Sequence, residues 1–303
     1  MTSTMKAWIS ASRPRTLPLA AASVCMGGFL AAFQGLFNWL VFMLTLLTTV
    51  LLQILSNLAN DYGDSQNGAD HQDRIGPTRM VQAGIISSRQ MKQAMWVIGT
   101  LSFITGLGLL SASLGFANPY FYIFLIFGVL CIYAAVGYTS GNKPYGYRGY
   151  GDFAVVVFFG LMAVFGSYFL QTFSLKWDVI LPAITCGLFA TAVLNINNIR
   201  DIKSDKSAGK YSIPVRLGRE RAVVYHWLLL GIGLISSIAF TLLNYVSWWQ
   251  WLFLIIIPLL YSNGKSVQTK PSEELDPYLK HMALTTLLYV LSFGIGLILS
   301  TAG

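Results

Sequence analysis

Charge is what this chain has least of. Only 11% of its 303 residues are Asp, Glu, Lys or Arg, where a soluble domain carries roughly a quarter. Six tracts have none at all: Thr16–Asn60, Gln93–Asn142, Phe153–Leu175, Val179–Ile199, Ala222–Gly264 and Met282–Gly303. With a mean hydropathy of +0.60, such tracts exclude an ordinary soluble core. Ten-residue segments of alternating polarity, the mark of a membrane barrel, are also missing. Cysteine is scarce, and Cys25, Cys131 and Cys186 show no CxxC spacing, which excludes a disulfide framework and a zinc site. Histidine is as scarce, and His71, His226 and His281 are too scattered in sequence to form a cluster.

What is present is a set of apolar runs of spanning length. A transmembrane helix needs about 20 mostly apolar residues, and a helix satisfies its own backbone in lipid. Three of the tracts are long enough for two helices, and each carries a break near its middle, at Gln34–Asn38, Gly115–Pro119 and Asn244–Ser247. The other three hold one each. The expectation is an all-α membrane protein of nine transmembrane helices, one integral-membrane domain over residues 1–303. The short basic segment before Thr16 does not read as a cleaved signal, so the first span is expected to be retained.

Basic residues orient the spans. With the amino terminus in the cytoplasm, Lys176 is the one exception among 20 Lys and Arg residues to a cytoplasmic placement. The formal net charge of +8 then has two readings: it follows from this bias, or some of these cations meet an anionic substrate. Because the basic residues sit in short loops between spans, nucleic acid is excluded as a partner.

The acids are clustered instead. Asn57–Asp70 reads NLANDYGDSQNGAD, and Asn195–Lys210 reads NINNIRDIKSDKSAGK. Helix parity puts both clusters at cytoplasmic ends of spans that run in the same direction. Asn197, Asp201 and Asp205 are four residues apart in turn, as are Asn60 and Asp64, a spacing that lines side chains along one helix face. Crowded carboxylates are costly without a cation. Oxygen donors with no neighbouring His or Cys suit magnesium, and magnesium commonly shares its sphere with phosphate. Arg74, Arg79, Lys203, Lys210 and Arg216 stand close by to contact such a phosphate group.

NDYGD (Asn60–Asp64) followed by NxxxDxxxD (Asn197–Asp205) resembles the paired motifs of the UbiA superfamily of intramembrane prenyltransferases. The usual first motif, NDxxDxxxD, has Gly68 at its last position here, with Asp70 two residues on. RPRTLP (Arg13–Pro18), SNLANDYGD with DRIGPTR (Ser56–Arg79), GNKPYGYRGYGD (Gly141–Asp152) and the second acid cluster run in the order found in the branch that acts in menaquinone synthesis. The resemblance implies a UbiA-type fold with nine helices around a central cavity. It also implies a magnesium-dependent transferase of the bacterial cytoplasmic (inner) membrane, with its active site toward the cytoplasm and the bilayer as its surroundings. The implied reaction moves a polyprenyl group from polyprenyl diphosphate to 1,4-dihydroxy-2-naphthoate, with loss of CO2 and diphosphate. Two alternatives stand beside it: another aromatic acceptor, such as 4-hydroxybenzoate or homogentisate, and a membrane transporter.

By motif position the resemblance gives Asn60, Asp61, Asp64, Asp70, Asn197, Asp201 and Asp205 as metal ligands. Asp64, Asp201 and Lys143 are the expected catalytic residues. Arg13, Arg15, Arg74, Arg79, Lys143, Lys210 and Tyr138 are expected to bind the diphosphate or the aromatic acid. Tyr62, Tyr145 and Tyr147 are weighed with Tyr138 as walls for an allylic cation.

Overall fold

The computed structural model describes residues 3–67, 76, 78–141 and 144–301. Within these the chain is helical. Helix α1 (Ser3–Ser12) is followed by α2 (Leu17–Phe33), α3 (Trp39–Gln66), α4 (Ser88–Ser113) and α5 (Pro119–Gly137). Then come α6 (Gly151–Thr172), α7 (Ile180–Arg200), the short α8 (Ile202–Ser207) and α9 (Ile213–Leu217), α10 (Arg219–Leu243), α11 (Ile257–Thr269) and α12 (Asp276–Thr301). Eight helices of the described residues are long and apolar enough to cross a membrane. The segment expected to be the remaining span, after the break at Asn244–Ser247, is composite: a 3-10 stretch over Trp248–Ile256 leads into α11. Against the nine spans expected, the described residues thus hold eight, and the segment 248–269 is not among them.

All three breaks read from the sequence fall between helices, and local chemistry explains the restarts. Asn38 accepts from the backbone of Leu40 and Val41, opening α3. Asn118 caps α5, which has proline in its first turn, where the missing N–H costs nothing. Ser87 and Gln90 form a capping box on α4. Gln171, at the end of α6, both accepts from the Asn38 N–H and donates to its carbonyl, tying that helix to the turn before α3.

Two packed groups of helices leave a hollow between them. One core joins α2, α6, α7, α10, α11 and α12 through Met26, Val164, Phe189, Leu230, Leu260 and Tyr289. The other joins α1, α3 and α4 through Ala7, Leu55, Leu58 and Met91. Helix α7 is largely buried and α5 scarcely at all, so α5 forms the outer wall. Polar side chains stitch the first core: Thr185 shares hydrogen bonds with the Gly233 carbonyl and Ser237, and Ser237 with Tyr289. In lipid such bonds contribute about 0.6–2 kcal/mol each. Where α6 crosses α7, a Cβ on Gly160 would stand 2.6 Å from the Ala183 carbonyl oxygen. Glycine lets the backbones meet there, inside an 11-residue π-helical stretch of α6. Such stretches cluster at functional sites, and Phe158, Phe159 and Met162 from this one turn toward the hollow.

His226 and His281, far apart in sequence, do converge: both ring systems hydrogen-bond to Asn263 at 3.1 Å. His71 lies outside the described residues. The three cysteines are unpaired.

Candidate active site

Both acid motifs sit at helix ends. Helix α3 runs on through Gln66, so the first motif belongs to its last turns rather than to a loop. Helix α7 ends at Arg200, and Asp201 breaks the helical geometry for one residue before α8. The four-residue alignment survives the break. The Asp201 N–H donates to the Asn197 carbonyl at 3.1 Å, and the Asp205 N–H to the Asp201 carbonyl at 2.8 Å.

Between these two ends lies a cavity of about 400 Å³. Its polar end carries Asn60, Asp64, Arg79, Tyr138, Asn197 and Lys210, joined by Arg13 from the segment before α2. The rest is apolar, with Leu110, Phe124, Phe127, Phe158, Phe159 and Met162 on its walls. Asp201 and Asp205 stand directly behind the polar end.

Each carboxylate has a basic or amide partner. Asp64 meets the Arg79 guanidinium and accepts from the Tyr147 hydroxyl at 2.8 Å. Asp201 accepts a two-pronged contact from Arg200, 2.8 Å from Nε and 2.7 Å from Nη2. Arg200 also donates to Asn197 Oδ1 at 2.9 Å and meets Asp276. Lys210 donates to Asp205 at 3.1 Å. Asp61 differs from the others: its two oxygens accept from the backbone N–H groups of Met80 and Val81, at 2.9 and 3.0 Å. It anchors the segment that carries Arg79. Asn60 Oδ1 accepts from Thr139 Oγ1 at 3.1 Å.

The electrostatics agree with this geometry. Burial pushes the Asp205 carboxyl up from its ordinary value; Lys210 opposes the rise, and Asp201 and Asp64 add to it. Burial works against charge on Lys210, yet Asp205, Tyr138 and Asp64 override it and hold the ammonium group protonated. Tyr138 is pushed up to about 12, chiefly by burial, with Lys210 opposing and Asp152, Asp205 and Asp64 reinforcing. Lys210 and Tyr138 thus both feel Asp64 of the first motif and Asp205 of the second, which makes the two clusters one electrostatic site.

The donor set fits a hard divalent cation: amide and carboxylate oxygens only, crowded, and facing a cavity end. Among the described residues no three His, Cys, Asp or Glu side chains converge on a point, because each acid turns to its own partner. Of the other expected site residues, Arg15 pairs with Asp276 at 3.2 Å and does not border the cavity. Tyr145 lines the cavity with Tyr138, whereas Tyr62 packs into the core under α1 and α3. Asp70, Arg74 and Lys143 lie outside the described residues. Sequence reasoning missed Arg200 and Asp276, and weighed Tyr147 as a wall residue without anticipating its hydrogen bond to Asp64. One signal for Arg200 was available: it is a lone cation directly after an uncharged run and adjacent to a motif aspartate.

The comparisons with known proteins agree with each other. The chain is 46% identical over 299 residues to a 1,4-dihydroxy-2-naphthoate octaprenyltransferase of Haemophilus influenzae, covering 97% of this chain and 96% of that one. It is 47% identical over 295 residues to a protein of the same name from Escherichia coli, covering 94% of each. Its structure is similar to that of a UbiA homolog from Aeropyrum pernix K1, with a TM-score of 0.68 at 16% identity over 99% of this chain and all of that one. A UbiA homolog from Archaeoglobus fulgidus bound to GPP and Mg2+ gives a TM-score of 0.62 at 17% identity, over 96% and 99%. At such identities the structural likeness bears on fold alone. The family match itself runs over residues 21–287, and on that match the chain belongs to the UbiA prenyltransferase family.

Proposed function

We propose that this protein, acting as a single integral-membrane domain, transfers a polyprenyl group from polyprenyl diphosphate to 1,4-dihydroxy-2-naphthoate. CO2 and diphosphate leave, and the prenylated naphthalenediol, demethylmenaquinol, forms; its oxidation to the quinone is a separate later step. One observation carries the reading: a single cavity has acids and cations at one end and an apolar, aromatic wall along the rest. That polarity matches a substrate with a diphosphate head and an isoprenoid tail. Relatives at 46% and 47% identity bear the name of a naphthoate octaprenyltransferase, which favours this acceptor over 4-hydroxybenzoate or homogentisate. Membership of a prenyltransferase family disposes of the transporter alternative.

Asn60, Asp64, Asn197, Asp201 and Asp205 would hold magnesium, a donor set of amide and carboxylate oxygens suited to that ion. Bound there, the ion would neutralise charge developing on the departing diphosphate. The chain's own residues do the rest. Lys210 and Arg79 border the same end and offer donors to phosphate oxygens. Tyr138 and Tyr145 face the path of the allylic cation, where a ring contributes about 0.5–2 kcal/mol. Apolar walls exclude water from that cation. Arg13, at the cavity edge, is placed to meet the carboxylate of the aromatic acid. Asp61 serves as a loop anchor. The positive-inside bias supports a cytoplasmic polar end and a place in the bacterial inner membrane.

The test is diphosphate release by the purified protein in detergent, with the three acceptors assayed side by side. The naphthoate alone should support turnover, chelation should stop it and added magnesium restore it. Asp64→Ala and Asp201→Ala should lower turnover by roughly a hundredfold or more, as when a charge-stabilising group is removed. Full activity in either variant would overturn the assignment of the site.

A further inference from the structure

Arg200 is among the largest fully buried side chains of the described residues. Its guanidinium already has a full carboxylate partner in Asp201, bound through two nitrogens. A second carboxylate, Asp276, nonetheless reaches its remaining nitrogen, Nη1, from 76 residues away in sequence. Asp276 opens the last helix, and its side chain is 41% exposed, so burial gives it no reason to pair there. It also receives Arg15 at 3.2 Å. One carboxylate thereby ties the segment before α2, the second acid motif and α12 together.

Charge balance shows what this accomplishes. An arginine belonging to Asp201 alone would compete with any cation that Asp201 is meant to bind. Gripped on its opposite edge by Asp276, the guanidinium divides its charge between two acids and cannot follow Asp201. Its other edge then fixes the directions of the Asp201 carboxylate and of the Asn197 amide oxygen. We propose that Asp276 is a positioning residue for the second acid motif, acting through Arg200 to hold Asp201 and Asn197 ready for a divalent cation. This inference rests on the reading of the motif as a cation site.

The experiment is a Mn2+ titration followed by electron paramagnetic resonance, on the full chain in detergent with inorganic pyrophosphate and no prenyl substrate. Asp276→Asn should raise the half-saturating Mn2+ concentration by roughly 10- to 100-fold, the usual effect of losing a group that orients metal ligands. Asp276→Ser, which keeps a small polar side chain in the first turn of α12, should do the same and carries the test if the Asn variant fails to fold. Asp276→Glu should recover most of the affinity. Glu274→Gln, in the same loop and part of the exposed Lys270–Glu274 pair, should stay within about twofold of the parent protein. Unchanged Mn2+ affinity in both Asn and Ser variants overturns the proposal, even if their melting temperature falls, since Asp276 would then be a structural staple only. Failure of the parent protein itself to bind Mn2+ with pyrophosphate would instead strike the cation-site reading, and this inference with it.

Discussion

Asp64 shows how a single acid is held at this site. Arg79 supplies charge from one direction, and the Tyr147 hydroxyl supplies a hydrogen bond at 2.8 Å from another. The phenol comes from a short turn, Tyr145–Arg148, and is itself largely buried. A hydrogen bond to a charged group contributes about 1.5–3 kcal/mol, so Tyr147→Phe should lower kcat/KM by roughly ten- to a hundredfold. Far-UV circular dichroism and monodispersity in detergent should be unchanged, because the ring itself stays. A Phe variant at full activity would show that the hydroxyl does not orient Asp64. Arg13 is held differently. Its backbone is left-handed, with φ of 48°, directly before Pro14, and such a conformation in a non-glycine residue costs of order 1–3 kcal/mol. The fold accepts that cost where the side chain borders the cavity.

At the scale of helices, Gly63 explains why α3 and the chain after α5 come so close. A Cβ at this position would stand 2.5 Å from the Thr139 carbonyl oxygen, and backbone cannot rotate away as a side chain can. Without the methyl group, Thr139 approaches α3 and its hydroxyl donates to both the Ala59 carbonyl and Asn60 Oδ1. Gly63→Ala should therefore push α5 outward and misplace Asn60. Activity should fall by at least about tenfold and the melting temperature should drop, with both losses larger than for Gly108→Ala, a helical glycine with open space around it. Equal effects at the two positions would refute the close-approach argument. The same scale shows what was legible beforehand. The breaks at Gln34–Asn38, Gly115–Pro119 and Asn244–Ser247 could be read because interruptions of apolar runs are local signals. The alignment of Asn197, Asp201 and Asp205 could be read because period and spacing are local too. The Arg200–Asp276 pairing could not, since 76 residues separate partners that only the packing of α12 beside α7 brings together. Nor could the 3-10 stretch at Trp248–Ile256, whose composition is that of any apolar span.

At the scale of the whole molecule, the described charged residues of the proposed site stand at one end of the bundle. Asp64, Arg79, Asp205 and Lys210 gather at the end where α3 and α7 finish, and the opposite end holds Lys176 as its lone cation in the sequence-derived topology. A diphosphate cannot cross lipid unaided, so the polar mouth must open to the compartment that holds the soluble substrates. Positive-inside bias predicts that this compartment is the cytoplasm. The prediction is tested with single cysteines in a background where Cys25, Cys131 and Cys186 are serine. Ala117→Cys, exposed in the α4–α5 turn, should react with a membrane-impermeant maleimide on intact cells. Lys206→Cys, exposed beside the second motif, should react only in inverted vesicles. The reverse pattern would turn the molecule over in the membrane, and the diphosphate end would then face a compartment that the basic loops were expected to avoid.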